Sequence, residues 1–177
     1  MKTGILVNGV PASGKSTVAK AISQSAGWPM FALDTVKEAL FAHLATGDRE
    51  HNRLFGKASY QAIFAVIGDF PDGATVVIDA WFGFQPTEVL TAQLAAAGVT
   101  TVVEVWCTAP PTVIGERYRA RLDSRPSGHL GESYIPELVD LAGRAASIGG
   151  WPVLDIETVR PLDVAALVDR LKVLRAG

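Results

Sequence analysis

A segment near the start of the chain has the composition of a phosphate-binding loop. Gly9-Val10-Pro11-Ala12-Ser13-Gly14-Lys15-Ser16 follows the pattern GxxxxGK[ST], with an apolar run before it and a helical pattern after it. Small residues let successive backbone N–H groups converge on a phosphate, and the helix that follows adds the positive end of its dipole. Lys15 supplies a cation for the β and γ phosphates, and Ser16 supplies a hydroxyl ligand for Mg²⁺. Together with the adjoining Thr17, the segment predicts a nucleotide site.

An acidic residue and two aromatic residues follow a later apolar run. Val76–Ile78 ends in Asp79, which is the pattern of a strand whose terminal carboxylate holds Mg²⁺ directly or through water. A plain turn residue at the end of a strand is the alternative interpretation of Asp79. Trp81 and Phe82 come next and could form a wall of an acceptor pocket, or they could fill the core, as aromatic side chains commonly do. The sequence leaves both interpretations open.

A regular alternation of apolar runs and helical patterns predicts the elements that position these groups. Apolar runs predict five strands, at Thr3–Asn8, Pro29–Leu33, Ala74–Ile78, Thr100–Trp106 and Pro152–Ile156. Helical spacing predicts a first helix at Lys15–Ala26 and a second that runs from the capping residues Asp34 and Thr35 to Leu44. Five more helices are predicted at Arg53–Phe70, Pro86–Ala97, Pro111–Leu122, Ser133–Ser147 and Pro161–Leu174. Pro161 suits the first turn of the last helix. The alternation predicts one domain over residues 1–177. We expect this domain to have a three-layer α/β fold with a five-stranded parallel sheet and helices on both faces, and to bind ligands at the carboxyl ends of the strands.

Composition narrows the classes of protein that the chain can belong to. It has 177 residues, 49% of them hydrophobic, which excludes intrinsic disorder and permits a continuous core. The net charge of −2 gives no overall basic field, so nucleic acid is a disfavoured partner. Cys107 is the only cysteine and cannot form an intrachain disulfide. The short apolar run after Met1 is neither a signal-peptide core nor a membrane span, and we expect a cytoplasmic protein.

The segment from Val7 to Thr17, with the later motifs, resembles the predicted P-loop kinases related to chloramphenicol phosphotransferase and polynucleotide kinase. In that group an aspartate just after the second strand acts as the base on the acceptor hydroxyl, and the segment from Leu33 to Leu40 resembles that region. The resemblance therefore implies that Asp34 is the catalytic base, and its place at the end of a strand faces it toward the loop. Helix capping is the alternative role of Asp34. Lys37 is a candidate substrate contact, with a solvated helix position as its alternative.

A cluster of arginines follows the fourth predicted strand, where the resembling kinases carry an arginine-bearing lid: Arg117, Arg119, Arg121 and Arg125. The resemblance implies a lid at approximately residues 115–131, with catalytic roles for Arg117, Arg121 and Arg125. Guanidinium groups on a closing segment would stabilise the charge on a transferred phosphoryl group and exclude water. Four-residue spacing puts Arg117 and Arg121 on one helix face, which Arg125 joins if the helix extends that far. A solvated, salt-bridged helix face is the alternative, and His129 could join the lid or be incidental.

These features lead to one function and two alternatives. The leading hypothesis is an ATP- and Mg²⁺-dependent phosphotransferase that moves the γ-phosphoryl group to a hydroxyl of a small molecule such as a sugar, an aminosugar or an antibiotic. The first alternative is a polynucleotide 5′-hydroxyl kinase, which would need a basic groove that follows the strand. The second is a nucleotide-dependent switch or binding NTPase. The acceptor, the choice between ATP and GTP, and the oligomeric state are not encoded in a recognisable motif.

Overall fold

Five strands form one parallel sheet in the computed structural model, which describes residues 1–44, 47–126 and 128–176. The strands are β1 Lys2–Asn8, β2 Met30–Ala32, β3 Thr75–Ala80, β4 Val99–Thr108 and β5 Val153–Glu157. Their order is β2-β3-β1-β4-β5, and every neighbouring pair is parallel. All carboxyl ends therefore meet at one edge of the sheet, with β1 at its centre. The predicted five-stranded parallel sheet is confirmed.

Helices cover both faces of the sheet. They are α1 Lys15–Ala26, α2 Leu33–His43, α3 Arg49–Gly68, α4 Thr87–Ala96, α5 Pro111–Arg119, α6 Ile135–Arg144 and α7 Val164–Leu174, with 3-10 turns at Phe82–Phe84, Leu122–Ser124 and Glu132–Tyr134. Side chains alternate across β1, so that Ile5 and Val7 pack against α1 and α7 while Leu6 packs against α3 and α4. Each face has its own apolar core, as expected for a parallel sheet buried on both sides.

A third apolar cluster lies over residues 9–16, which we call the phosphate loop. Val10 and Ala12 of the loop pack with Ile114 and Tyr118 of α5 and with Leu138 of α6. The first part of the predicted lid is thereby anchored to the loop that it would cover. Ser127, within the predicted lid, lies outside the described residues, and the single-domain organisation stays a prediction.

Several helix ends differ from the sequence-based prediction. Helix α2 already begins at Leu33, so Asp34 and Thr35 lie inside its first turn and do not cap it. Helix α7 begins at Val164, where Asp163 is the cap and accepts a hydrogen bond from the Ala166 N–H at 3.0 Å. Pro161 therefore precedes the helix, because a side-chain acceptor nearer to the helix satisfies its free N–H groups.

Candidate active site

The conformation of the phosphate loop depends on two glycines. Gly9 has φ 156°, and a Cβ atom there would lie 2.6 Å from the carbonyl oxygen of Cys107. Gly14, which precedes α1, has φ 90°, and a Cβ atom there would lie 3.0 Å from the Thr158 side chain. Any larger residue at either position would push the loop away from its neighbours. The loop therefore keeps its backbone N–H groups close to the start of α1.

A buried carboxylate lies beside the phosphate loop at the end of β3. Asp79 is 4% exposed, and its Oδ1 atom has no hydrogen-bond partner among the described residues. Burial raises the pKa of Asp79, while the nearby charge of Lys15 and a hydrogen bond with the Ser16 hydroxyl oppose that rise. An unpartnered carboxylate oxygen next to a hydroxyl is an arrangement that Mg²⁺ can complete with water and phosphate oxygens.

The ligand groups around Asp79 fit Mg²⁺ better than they fit a metal that is held entirely by protein side chains. No group of three or more His, Cys, Asp or Glu side chains that could hold a metal occurs within residues 1–44, 47–126 and 128–176. Mg²⁺ is bound in nucleotide sites by few protein oxygens, because substrate phosphates and water supply the other ligands. Ser16 and Asp79 are therefore the residues that could hold it.

A second carboxylate, that of Asp34, lies in the first turn of α2 among several cations. Lys37 Nζ is 3.2 Å from Oδ1 of Asp34, and Arg125 Nη2 is 3.8 Å from Oδ2. Burial acts to raise the pKa of Asp34, but the positive charges of Lys37, Lys15, His129 and Arg125 outweigh it and lower that pKa to about 2. Asp34 is consequently an anion throughout the physiological pH range.

The Lys37 side chain is only 10% exposed, and its ammonium lies 5.9 Å from the centre of the Phe41 ring. The solvated helix position considered for this residue is therefore wrong. Lys37 is enclosed because it folds back against its own helix to neutralise Asp34. A lysine buried in this way lies in direct contact with the candidate base.

The arginines of the predicted lid have separate surroundings. Arg117 donates hydrogen bonds to Thr158 Oγ1 at 2.9 Å and to the Thr158 carbonyl at 3.1 Å. Arg121 is exposed, and its Nε donates to the Arg117 carbonyl at 3.3 Å. Arg125 turns inward with a side chain that is 17% exposed, while Arg119 forms a surface ion pair with Glu132. A single face shared by three of the arginines does not form, because α5 ends at Arg119.

The two aromatic candidates also have different surroundings. Phe82 is 4% exposed and packs edge-on against Tyr60 with ring centres 5.8 Å apart, which favours the core interpretation. Trp81 is half-buried next to Trp106, with ring centres 6.1 Å apart, and its carbonyl accepts a hydrogen bond from the Tyr60 hydroxyl. Trp81 packs against the apolar cluster of the phosphate loop, α5 and α6, and it stays the aromatic candidate for an acceptor contact.

An open cleft of about 1260 Å³ adjoins the other side of the phosphate loop. It lies between α5 and the segment that follows β5, with Gly14, Thr17, Arg117, Arg121 and Arg160 among its lining residues. The volume exceeds what a nucleoside needs. The cleft and Asp34 lie toward opposite edges of the sheet, since Asp34 follows β2 and the cleft adjoins β5.

Two groups of supporting residues escaped the sequence-based prediction. Asn8 donates to the buried Glu104 carboxylate at 2.7 Å, and its Oδ1 accepts from the N–H groups of Gly9 and Phe82 at 2.8 and 3.1 Å. The sequence signal for this network is Glu104, an acidic residue within the valine-rich strand β4. Thr158 donates its hydroxyl to the Ser13 carbonyl at 2.6 Å and so ties the phosphate loop to β5. No sequence pattern singled out Thr158.

Comparisons with known proteins agree with this architecture. A family profile described as AAA domain matches residues 5–134. A crystal structure from Chloroflexus aurantiacus J-10-fl, named a "putative kinase", is 24% identical, covers 98% of each chain and has a TM-score of 0.79. A gluconokinase from Sinorhizobium meliloti 1021 is 17% identical over 97% of this chain and 96% of that chain, with a TM-score of 0.61. A shikimate kinase from Bacteroides thetaiotaomicron is 18% identical over 97% of each chain, with a TM-score of 0.58.

These similarities establish a P-loop kinase-like α/β fold, and the predicted fold class is confirmed. A search of curated proteins found no match. Within the described parts of the chain, none of the helices is both long enough and apolar enough to cross a membrane.

Proposed function

The chain belongs to the family described as AAA domain, and from this premise we propose that it is an ATP- and Mg²⁺-dependent phosphotransferase that moves the γ-phosphoryl group to a hydroxyl of a small molecule. The observation that carries the proposal is that the Lys15 charge acts on two carboxylates: it helps to lower the pKa of Asp34, and it opposes the burial that raises the pKa of Asp79. A phosphate held by Lys15 would therefore lie near both a candidate metal-binding acid and an ionised acid.

The chemistry follows from these charges. The phosphate loop and Lys15 would hold the β and γ phosphates, and the cleft beside Thr17 would hold the nucleoside. Mg²⁺, held by Ser16 and Asp79, would neutralise charge on the phosphate oxygens. Asp34 would accept a hydrogen bond from the acceptor hydroxyl and orient its oxygen toward the γ phosphorus. Because its pKa is about 2, Asp34 would take the proton late, when the new O–P bond has made the hydroxyl acidic.

The nature of the acceptor is part of the proposal. The names of the similar structures include a gluconokinase and a shikimate kinase, which supports a small hydroxyl-bearing acceptor. The net charge of −2 argues against a polynucleotide. Membership of the group related to chloramphenicol phosphotransferase, proposed from the phosphate loop and the Asp34 segment, adds amphenicols to the candidate acceptors.

The test is a screen of sugars, aminoglycosides, nucleosides and amphenicols with Mg·ATP or Mg·GTP, read by the mass of the phosphorylated product and by ADP or GDP release. We expect acceptor-dependent product from the wild type and none from Lys15→Ala, which lacks the phosphate-binding cation. Slow hydrolysis that no acceptor accelerates would favour the switch alternative. Folded protein that takes up neither nucleotide with Mg²⁺ in calorimetry would overturn the proposal.

The role of Asp34 has its own variant. Asp34→Asn should lower kcat with the identified acceptor by roughly 10²- to 10⁴-fold, because the orienting anion is lost, while ATP affinity stays unchanged. Asp169→Asn on α7 removes an exposed carboxylate that pairs with Lys172 and serves as the matched control. Near-normal turnover of Asp34→Asn would show that another group receives the proton.

A further inference from the structure

One histidine links the predicted lid to helix α2. The His129 side chain is 5% exposed. Its Nε2 lies 2.8 Å from Oε1 of Glu38, and its Nδ1 lies 2.9 Å from Nη2 of Arg125. Glu38 is one turn along α2 from Asp34, so the imidazole bridges the helix that bears the candidate base and the segment that bears a candidate lid arginine.

The hydrogen-bond partners of His129 determine which of its ring nitrogens carries the hydrogen. A guanidinium group only donates hydrogen bonds, so Nδ1 of His129 must accept from Arg125. The remaining nitrogen, Nε2, must then carry the hydrogen and donate it to the Glu38 carboxylate. A neutral imidazole with its hydrogen on Nε2 is the form in which both contacts are favourable.

The neighbours of Arg125 leave it little freedom. Its guanidinium lies 5.0 Å from the centre of the Tyr118 ring, and its Nη2 lies 3.8 Å from Oδ2 of Asp34. The Tyr118 hydroxyl donates to the Leu130 carbonyl at 2.6 Å, next to His129. On the other side, Asn52 Nδ2 of α3 donates to the Gly128 carbonyl. Arg117 and Arg121 lack such an arrangement, because Arg117 is held by Thr158 and Arg121 is exposed.

We propose that Glu38 and His129 are positioning residues that hold the Arg125 guanidinium beside Asp34, and that Arg125 is the lid arginine that contacts the transferred phosphoryl group. The proposal rests on the proposed phosphotransferase function. Arg125 would then meet the charge that develops between the acceptor oxygen and the phosphorus, and would do so without being reorganised at the moment of transfer. His129 acts only through Arg125.

Acid should release this arrangement. Burial lowers the pKa of His129, as do the charges of Lys37 and Arg125, while Asp34 and a hydrogen bond to Glu38 raise it, and the balance lies below the ordinary histidine value. The contribution of the neutral ring to stability is present above that ordinary value and is lost as pH falls through the lowered pKa. A protonated ring would point an N–H at the Arg125 guanidinium, which can only donate. Arg125 would therefore move away from Asp34 at pH values below the pKa of His129.

The first test is independent of activity. The chain has three histidines, His43, His51 and His129, so long-range ¹⁵N–¹H NMR spectra can be assigned with His129→Asn. We expect the His129 ring to be neutral at pH 7 with its hydrogen on Nε2, and to titrate at a lower pH than free histidine. Arg125→Ala should raise the titration midpoint, and Glu38→Gln should lower it. A ring that is charged at pH 7, or that carries its hydrogen on Nδ1, overturns the arrangement.

The second test separates positioning from folding. In asparagine the amide oxygen can replace Nδ1 as acceptor for Arg125, whereas in glutamine the amide group replaces Nε2. In His129→Gln, the kcat for ADP release from Mg·ATP should therefore fall by roughly 10- to 100-fold, while the KM for ATP stays unchanged. The His129→Asn variant should keep most of the wild-type kcat. Glu132→Gln, which removes the exposed partner of Arg119, is the control.

The outcomes separate the two claims. Equal kcat values for wild type and His129→Gln, with unchanged thermal stability, would overturn the positioning role. Loss of activity in Arg117→Lys or Arg121→Lys with no loss in Arg125→Lys would assign the phosphoryl contact to another arginine. Wild-type protein that releases no ADP would overturn the proposed function and the catalytic part of this inference, while NMR would still report whether His129 holds Arg125.

Discussion

At the scale of single residues, the two aspartates of the candidate site illustrate how surroundings assign roles. Burial dominates at Asp79 and raises its pKa, whereas cations outweigh burial at Asp34 and lower its pKa to about 2. Asp34 is therefore stabilised as an anion by the protein itself. At Asp79, Lys15 and the Ser16 hydroxyl offset the effect of burial only in part. Opposite environments of this kind are typical of paired acids with different tasks.

Replacing Asp79 should separate stability from metal binding. Asp79→Asn removes a buried charge, so we expect the nucleotide-free protein to gain up to about 1 kcal/mol in unfolding free energy at pH 7. The stabilisation by Mg·ATP over ATP alone should disappear, because the carboxylate proposed to hold the cation is gone. Thermal denaturation with and without Mg²⁺ and ATP measures both effects.

Asp140→Asn, at an exposed position paired with Arg144, should change neither quantity. An Asp79→Asn protein that still gains the full Mg²⁺-dependent stabilisation would rule out Asp79 as a metal ligand.

The sequence predicts site residues that lie close together along the chain better than those that lie far apart. Lys15 and Ser16 belong to a short pattern with fixed spacing, so the sequence alone can predict their roles. The contact of His129 with Glu38 joins residues 91 positions apart, and no local pattern encodes such a pair. The tertiary fold also decides whether a lysine such as Lys37 is enclosed or solvated.

At the scale of elements, the segment after β5 supports the phosphate loop from the side. Thr158 donates its hydroxyl to the Ser13 carbonyl and also accepts from Arg117, while its side chain lies against Gly14. One side chain thus connects the phosphate loop, helix α5 and strand β5. The position of the phosphate loop relative to α5 depends on this connection.

Removal of the Thr158 hydroxyl tests the connection. Thr158→Val keeps the shape but leaves the Ser13 carbonyl without its donor, so the free energy of unfolding should fall by about 1–3 kcal/mol. ATP affinity should fall as well, because the loop is less well ordered. Denaturant unfolding and calorimetry report these changes. Val159→Thr, at an exposed neighbouring position, is the control, and equal ATP affinity in both variants would contradict the supporting role.

Element types were more predictable than element ends. The start and end of α1 were predicted because the phosphate-loop pattern precedes it and Gly27, with φ 69°, ends it. The end of α5 was not, because α5 stops at Arg119 and the chain tightens into a 3-10 turn at Leu122–Ser124, which no local sequence signal marks. Helix α6 likewise covers less of its segment than predicted, since it begins after a 3-10 turn and ends at Arg144.

At the scale of the whole molecule, two apolar cores hold the sheet between its helix layers. Helices α1 and α7 share one core with β1, and α3 and α4 share the other. The central strand therefore contributes to both cores, with Ile5 and Leu6 each completely buried. Displacement of either layer would disturb the phosphate loop, which continues directly from this strand.

The closing helix gives a direct measure of this dependence. Leu171→Ala, at a completely buried position, should lower the free energy of unfolding by about 2–5 kcal/mol, because it leaves a cavity between α7 and the sheet. Val173→Ala, two residues on and 72% exposed, should change it by less than about 0.5 kcal/mol. Chemical denaturation of both proteins tests the pair, and similar losses would mean that α7 does not pack as described.

Fold class followed from the alternation of strands and helices, but strand order did not. Alternation requires parallel strands with helical crossovers, and this fixes the class. The order β2-β3-β1-β4-β5 depends on which helix layer each crossover joins, and buried parallel strands of similar composition do not encode that choice locally.

The strand order has a consequence for how such an enzyme can diversify. The candidate base follows one edge strand, β2, whereas the proposed nucleoside cleft adjoins the opposite edge strand, β5. Substitutions that retune what is phosphorylated would thus accumulate on one flank, and substitutions that retune the donor would accumulate on the other. The central strand and its loop could stay constant while either flank changes, so a new acceptor could be adopted without rebuilding the machinery that handles the nucleotide.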